Sequence, residues 1–182
     1  MKKNSLSASV EIPEGLEVNL DNTLIKVKNQ KTELSKKLTS SRVKVKKEEN
    51  KIIFSVESDT RKDKGMLNTH VANFNNMLQG VKEIYIYKLK VCSGHFPMNV
   101  NIDKDKIVIK NFLGEKLPRV AKIIEGVQVK LDNDIITVES HDKDKAGQVS
   151  ANIEIATKIR HKDRRVFQDG IFLISKAGVP LK

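Results

Sequence analysis

The chain has 182 residues, of which 38% are hydrophobic and 4% aromatic, so its apolar residues suffice for one medium core or two small aliphatic ones. A net charge of +11 predicts an anionic partner such as RNA, DNA or an acidic lipid surface. No apolar run approaches the roughly 20 residues that span a bilayer, and no signal-peptide stretch opens the sequence. The single Cys92 can form neither an internal disulfide nor a cysteine-based zinc site. We therefore expect a cytoplasmic protein without membrane association.

The sequence contains an internal duplication. The segment VNLDNTLIKVKN, residues 18–29, returns 82 positions later as VNIDKDKIVIKN, residues 100–111, with six of twelve positions identical. At the same offset residues 53–58 match residues 135–140, and two shorter matches flank them in the same order. Two halves could share a β-hairpin pattern without common origin, but an ordered series of four matches favours duplication.

In chain order, each copy begins with interleaved apolar and polar residues, which predict strands joined by hairpins. Asp and Asn favour turns, and they mark where these hairpins should turn. The predicted turns are Asp21-Asn22 and Glu48-Glu49-Asn50 in the first copy, and Asp103-Lys104 and Asp132-Asn133 in the second. The alternating stretch from Glu83 to Val91 predicts a further strand that completes the first unit or leads into the second.

A single helix is predicted to close each copy. In the first, apolar residues recur at helical spacing and end at Gln79-Gly80, where glycine can stop a helix. The predicted packed faces are Leu67, Val71, Phe74 and Leu78 in the first copy, and Ala146, Val149, Ile153 and Ala156 or Thr157 in the second. The candidate N-caps are Ser58 or Asp59, and Ser140 or Asp142.

The predicted fold class is α+β, with two tandem repeats of one small domain, each an antiparallel β-sheet packed with a single α-helix. Residues 1–82 form the N-terminal repeat, with 16 basic and 10 acidic residues, and residues 83–182 form the C-terminal repeat with a basic extension. Residues 83–157 hold 11 of each sign, whereas residues 158–182 hold 7 basic and 2 acidic residues. The second repeat therefore concentrates its positive charge in the extension. The first repeat's lysines, spread from Lys26 to Lys64, suit general attraction as well as direct contact.

The extension places three arginines in the short segment 158–170. A guanidinium can hold a phosphate with two parallel hydrogen bonds, so this composition favours phosphate contact. The alternative is a solvated basic tail. Val166 and Phe167, followed by the apolar residues 170–174, instead predict a turn and a last strand that attach the arginines to a folded surface.

The sequence shows no pattern of catalytic, metal-binding or cofactor chemistry. No glycine-rich phosphate loop occurs. Residues 142–147 resemble the start of a calcium loop, but the twelfth position is Ile153 where a bidentate Glu is required. Cys92 or Ser93 beside His95 could suggest a nucleophile and a base, yet no orienting acid is evident in the sequence. We expect no catalytic residue, no metal, no cofactor and no small-molecule substrate.

Four strings carry a family resemblance. They are SGHFP at 93–97, NFLGEK at 111–116, DKDKAGQVSANI at 142–153 and RRVFQDGI at 164–171. The chain resembles the family of the sixth protein of the large ribosomal subunit, in its archaeal and eukaryotic form. The resemblance extends over essentially the whole chain, including the N-terminal IPEG at 12–15 and the duplication.

The resemblance implies two similar α+β domains that bind large-subunit rRNA, chiefly through the second, near the sarcin–ricin loop and the base of the factor-binding stalk. Neighbouring ribosomal proteins at the stalk base are the implied protein partners. The candidate RNA contacts lie in three places. They are Lys143, Lys145 and Gln148 at the start of the second helix, Lys158, Arg160, His161, Lys162, Arg164 and Arg165 in the extension, and Lys116 and Arg119 in the turn formed by residues 112–119. Two other functions stay open at this stage: an RNA-binding regulator outside the ribosome, and an RNA-processing enzyme.

Overall fold

The structure is a computed structural model that describes residues 5–21, 24–30, 32–38, 40, 42–58 and 60–181. The chain forms two units, Met1–Glu83 and Ile84–Lys182. The expected turn residue Asn22 and the cap candidate Asp59 lie outside the described residues.

The described part of the first unit holds six strands and one helix. They are β1 (Leu6–Glu11), β2 (Glu17–Asp21), β3 (Leu24–Lys28), β4 (Glu33–Lys37), β5 (Lys44–Glu48), β6 (Lys51–Val56) and α1 (Arg61–Lys82). The strands form two antiparallel sheets, with the orders β1-β6-β5 and β2-β3-β4. The hairpin between β5 and β6 turns at Glu49-Asn50, as the sequence predicts.

Helix α1 differs from the sequence prediction at both ends. Its N-cap is Thr60, whose hydroxyl accepts a hydrogen bond from the backbone N–H of Asp63 at 3.2 Å. The expected cap Ser58 instead donates its hydroxyl to the Asp63 carboxylate. The helix also runs past Gln79-Gly80 to Lys82, because Val81 is buried and continues the apolar face.

The second unit, as far as Leu181, contains eight strands, a short 3-10 turn at Phe112–Gly114 and one long helix. They are β7 (Tyr85–Cys92), β8 (Asn99–Asp103), β9 (Lys106–Lys110), β10 (Arg119–Lys122), β11 (Gln128–Asp132), β12 (Ile135–Ser140), α2 (Lys143–Ala156), β13 (Gly170–Lys176) and β14 (Val179–Pro180). One sheet has the order β10-β9-β8 and the other β11-β12-β7-β13-β14. The hairpin turns after Asp103 and Asp132 lie where the sequence predicts them.

The core of the second unit forms where α2 packs against both sheets. The helix contacts β7, β12 and β13 of the larger sheet and β10 of the smaller one. Its side chains Ala146, Val149 and Ile153 are fully buried, and Leu89 on β7 and Ile136 on β12 are fully buried in the same cluster. The predicted helical face of the second copy is therefore confirmed.

The tandem α+β class is confirmed, and the structure adds the division of each unit into two sheets. Strand β7 opens the second unit and stands beside β12, as β1 stands beside β6 in the first. The second unit then adds β13 on the other edge of β7. Among the described strands β1 has no such second neighbour. The segment from Tyr85 to Cys92 thus belongs wholly to the second unit, at the centre of its larger sheet.

Candidate nucleic-acid interface

The first group of candidate contacts lies at the start of α2. Asp142 caps this helix, and its carboxylate accepts hydrogen bonds from the backbone N–H groups of Asp144 at 2.9 Å and Lys145 at 3.4 Å. An uncapped helix start would offer those donors to a phosphate. Since the Asp142 carboxylate already takes them, the contribution of this helix start to an anion site comes from its side chains.

Those side chains project from the helix with partial internal support. Lys143 places its Nζ 5.6 Å from the centre of the Tyr85 ring. The Nζ of Lys145 donates to the carbonyl of Glu125 at 3.2 Å. Gln148 is exposed and donates to Asn152 at 3.0 Å. The two lysines therefore keep their charge at the surface while their positions are restrained.

The extension forms an irregular segment between α2 and β13, which we name the arginine loop and define as residues 158–169. It includes the turn 163–167, in which the carbonyl of Asp163 accepts the backbone N–H of Phe167 at 2.9 Å. The Asp163 carboxylate accepts the N–H of Arg165 at 2.9 Å. Arg164 and Arg165 occupy the middle of this turn, and both are exposed. The turn expected from the sequence is present, and the strand expected after it is β13; it is not the last strand, because the short β14 follows it.

The remaining basic residues of the loop are also exposed. They are Lys158, Arg160, His161 and Lys162. His161 adopts a left-handed backbone conformation with φ of 59°, so the chain direction changes sharply within the basic run. The loop is therefore a folded, cation-bearing surface element and not an extended tail.

Asp169 fastens the end of the arginine loop to the segment after β7. Its side chain is only 1% exposed, and its carboxylate accepts the backbone N–H groups of Gly94 at 2.6 Å and His95 at 2.9 Å. The Nδ1 of the His95 ring lies 2.6 Å from the second carboxylate oxygen. Burial alone would raise the pKa of Asp169, but the hydrogen bonds from His95 and Gly94 outweigh it and hold the pKa below its usual range.

The sequence reasoning missed this contact. It found no acid to orient His95, and that reading is wrong, because Asp169 lies against the ring. The two residues are 74 positions apart, so no local spacing could reveal the pair. The ring of Phe167 also stacks on His95 at 4.8 Å between centroids, and the Nζ of Lys162 lies 4.6 Å from the Phe167 ring centre. His95 thus supports the loop from outside it.

Arg119 has a different environment from the other candidates. Its guanidinium makes paired hydrogen bonds to Glu115 at 2.8 and 2.6 Å, donates to the carbonyls of Ala156 at 2.9 Å and Lys158 at 3.2 Å, and lies 4.2 Å from the Phe112 ring centre. The hydrogen bond from Arg119 is the main cause that lowers the pKa of Glu115. Lys116, by contrast, is fully at the surface. Arg119 therefore bonds to the backbone at the start of the arginine loop, whereas Lys116 is exposed to solvent.

A groove of about 980 Å³ lies beneath the arginine loop. Its lining combines the loop, the end of α2 and the segment after β7, with exposed apolar side chains at Ile155, Val166 and Phe172. Gly170 closes the loop, and a side chain there would meet the Phe172 ring at 2.9 Å. The arginine loop therefore forms one side of the groove, together with the end of α2 and the segment after β7.

Several basic side chains of the first unit are engaged within that unit. Lys26 pairs with Asp21 at 3.3 Å and Lys51 with Glu11 at 2.9 Å. Lys47 donates to the carbonyl of Val18 at 2.8 Å. These contacts favour the interpretation of the first unit's lysines as surface charges over that of a dedicated contact site.

The described residues contain no cluster of His, Cys, Asp and Glu able to hold a metal ion. Within the same part of the chain, no helix combines the length and the apolar character needed to cross a membrane.

Comparison with known proteins identifies the family. A model of the ribosomal protein L6 family matches residues 12–84 and 96–170. The chain is 42% identical over 172 residues to the large ribosomal subunit protein uL6 of Methanobrevibacter smithii, which covers 94% of this chain and 97% of that protein. It is 41% identical to the proteins of the same name from Nanoarchaeum equitans, covering 93% and 92%, and Ignicoccus hospitalis, covering 93% and 94%. The first matched segment covers most of the first unit and ends one residue beyond it, and the second lies within the second unit. The chain therefore belongs to the ribosomal protein L6 family.

Proposed function

We propose that this chain is a structural constituent of the large ribosomal subunit in the cytoplasm, where it supports translation by binding large-subunit rRNA. The second unit provides the main contact, through the arginine loop and the start of α2. The site lies near the sarcin–ricin loop and the base of the factor-binding stalk, with ribosomal proteins of the stalk base as neighbours. The protein contributes binding and no catalysis.

The observation that carries the proposal is the dense exposure of cations on a loop attached to the fold at both ends. The proposed contacts in the loop are Lys158, Arg160, His161, Lys162, Arg164 and Arg165, and those around it are Lys116, Lys143, Lys145 and Gln148. Phosphate contacts of this kind release condensed counterions and supply affinity without reading base identity. Arg119 is left out of the set, because its donors are directed to Glu115 and two carbonyls.

The surface suits folded RNA helices better than single strands. Single-strand binding relies on aromatic side chains on which bases stack. The loop's aromatic residue, Phe167, is half-buried and already stacked on His95. RNA helices are recognised by shape and by phosphate and 2′-hydroxyl contacts, which basic side chains can provide.

Sedimentation of a cell lysate through a sucrose gradient tests the assignment to the ribosome. The tagged protein should be recovered with free large subunits and with whole ribosomes. At high salt it should dissociate from them, because salt weakens its contacts with rRNA phosphates. Recovery only near the top of the gradient at low salt would contradict the proposal and favour a regulator outside the ribosome.

Directed cleavage of rRNA tests the location. An iron chelate attached to a cysteine that replaces the exposed Gln168, in a Cys92→Ser background, should cleave rRNA at the sarcin–ricin loop and the stalk base. A chelate at the exposed Glu14 in the first unit serves as the control and should give a different cleavage pattern. If the chelate at position 168 cleaves only other regions of the rRNA, the protein still binds rRNA but the proposed location is refuted.

A further inference from the structure

The arginine loop, residues 158–169, has neither helix nor strand and lines a groove of about 980 Å³. Its basic residues are exposed, so their burial cannot fix the conformation of the loop. A loop of this kind loses affinity if it must become ordered on binding, because each immobilised side chain and backbone segment costs free energy. What holds the loop in the free protein therefore bears directly on how strongly it binds.

The end of the loop is held by the contact between Asp169 and the segment after β7. Three donors from that segment, the N–H groups of Gly94 and His95 and the His95 Nδ1, converge on one buried carboxylate at 2.6 to 2.9 Å. Hydrogen bonds to a charged acceptor are about twice as strong as neutral ones. This contact joins positions 74 and 75 residues apart.

The same histidine reaches further into the loop. Its ring stacks on Phe167 with an interplanar angle of 26°, and the Lys162 Nζ lies over the Phe167 ring. His95 therefore contacts Phe167, the last residue of the turn 163–167 that carries Arg164 and Arg165.

The start of the loop is held by Arg119. Its guanidinium donates hydrogen bonds to the carbonyls of Lys158 and of Ala156, the last residue of α2. The same guanidinium also donates to the Glu115 carboxylate. Its side chain is only 25% exposed. A planar guanidinium can serve these acceptors together, which a lysine ammonium on a flexible stem cannot do with the same geometry.

We propose that His95, Asp169 and Arg119 are positioning residues that hold the arginine loop in its RNA-binding conformation without touching RNA. This inference rests on the proposed function of the loop. It assigns roles to His95 and Asp169, which are not among the candidate RNA contacts predicted from the sequence. It also reassigns Arg119 from an RNA contact to a residue that positions the loop. Loss of a positioning residue lowers affinity through reordering, whereas loss of a contact also reduces the salt dependence of binding.

Variants of His95 test the end of the loop. His95→Leu removes both the ring donor and the stack, whereas His95→Asn keeps a side-chain N–H near the position of Nδ1. The measurements are affinity for a large-subunit rRNA fragment as a function of salt, and amide NMR signals of the whole chain. We expect His95→Leu to weaken binding about tenfold, with the salt slope unchanged, since reordering costs affinity and not counterion release. Amides 158–168 should then become mobile while those of β12 and α2 stay in place, and His95→Asn should recover most of the loss.

Three results would overturn the inference. The first is a His95→Leu variant whose loop stays ordered and whose affinity for rRNA is within about twofold of wild type. Another is a salt slope reduced by about one, which would make His95 a phosphate contact. The third is loss of the β12 and α2 signals in both His95 variants, which would show that His95 supports the whole second unit and not the loop in particular. If the wild-type chain itself does not bind rRNA, the proposed function fails, and the NMR comparison still decides whether His95 orders the loop.

Arg119 variants separate contact from support at the start of the loop. Arg119→Lys keeps the charge and loses the paired geometry, and Arg119→Met loses both. A positioning role predicts that both variants weaken binding about equally, at an unchanged salt slope. Near wild-type binding by Arg119→Lys, with a reduced slope for Arg119→Met, would show that Arg119 contacts phosphate and would refute its assignment.

Discussion

Replacing Arg164 and Arg165 by alanine gives the sharpest test of the arginine loop as an RNA anchor. Both side chains are exposed, and their backbone turn is fixed by Asp163, so the substitutions should leave the fold unchanged. Each phosphate contact contributes about 0.7 to 0.9 to the slope of log K against log salt. Two lost contacts should reduce the slope by about 1.4 to 1.8, which corresponds to about 25- to 60-fold weaker binding at 0.1 M salt and little change near 1 M.

The assay is a filter-binding or fluorescence titration of an rRNA fragment over a series of salt concentrations. The matched control is Lys28→Ala with Lys46→Ala, which removes the same charge from exposed positions of the first unit. Circular dichroism verifies that both double variants are folded. If the control pair reduces the slope and the affinity as much as the loop pair does, binding follows total charge, and the reasoning that places the anchor in the loop is refuted.

Three further predictions concern stability. Asp142→Ala removes the cap of α2 and should lower the free energy of unfolding in urea by about 1 kcal/mol; an unchanged value would mean that solvent replaces the cap. Burial is the main cause that lowers the pKa of His70. The melting temperature should therefore fall as pH drops below about 6.5, and His70→Gln should flatten that dependence; a parallel pH profile in the variant would contradict this. Hydrogen bonds from Ser58 and Thr60 lower the pKa of Asp63. Its stabilisation should be present above about pH 4 and lost in stronger acid, and Asp63→Asn should remove this acid dependence; equal acid sensitivity would exclude Asp63 as the source.

The repeat made most of the fold accessible from the sequence. Duplicated strings indicated that strands and one helix recur along the chain in both copies, and turn-forming residues marked hairpin turns that the structure confirms at Glu49-Asn50 and Asp132-Asn133. Helical spacing identified Ala146, Val149 and Ile153 as a buried face, and all three are fully buried. These predictions succeeded because each depends on residues within one turn or one helix of each other.

The features that the sequence did not reveal are those that distant residues or burial decide. The division of each unit into two sheets depends on which strands meet in space, which alternation along a strand does not reveal. The end of α1 was misplaced because the burial of Val81 outweighs the helix-stopping tendency of Gly80. The acid beside His95 was missed because Asp169 approaches only when β13 docks on β7.

Recognition of the family from four strings is confirmed by the comparisons. Membership in a family of ribosomal proteins also confirms that the chain is not an enzyme. The paired His95 and Asp169 show how an arrangement familiar from catalytic sites can have a structural purpose. Here the carboxylate gathers backbone donors from the opposite segment and joins two parts of the fold.

The position of β13 has a consequence for how the protein is made. This strand pairs along β7, which was synthesised some 80 residues earlier, with Gly170 opposite Cys92 and Leu173 opposite Leu89. Such distant pairings form late, because the intervening chain must be brought back against its entropy. During translation the larger sheet of the second unit therefore stays incomplete until β13 leaves the ribosome. The end of the arginine loop, which Asp169 attaches to the segment after β7, therefore lacks its adjoining strand pairing until β13 has emerged.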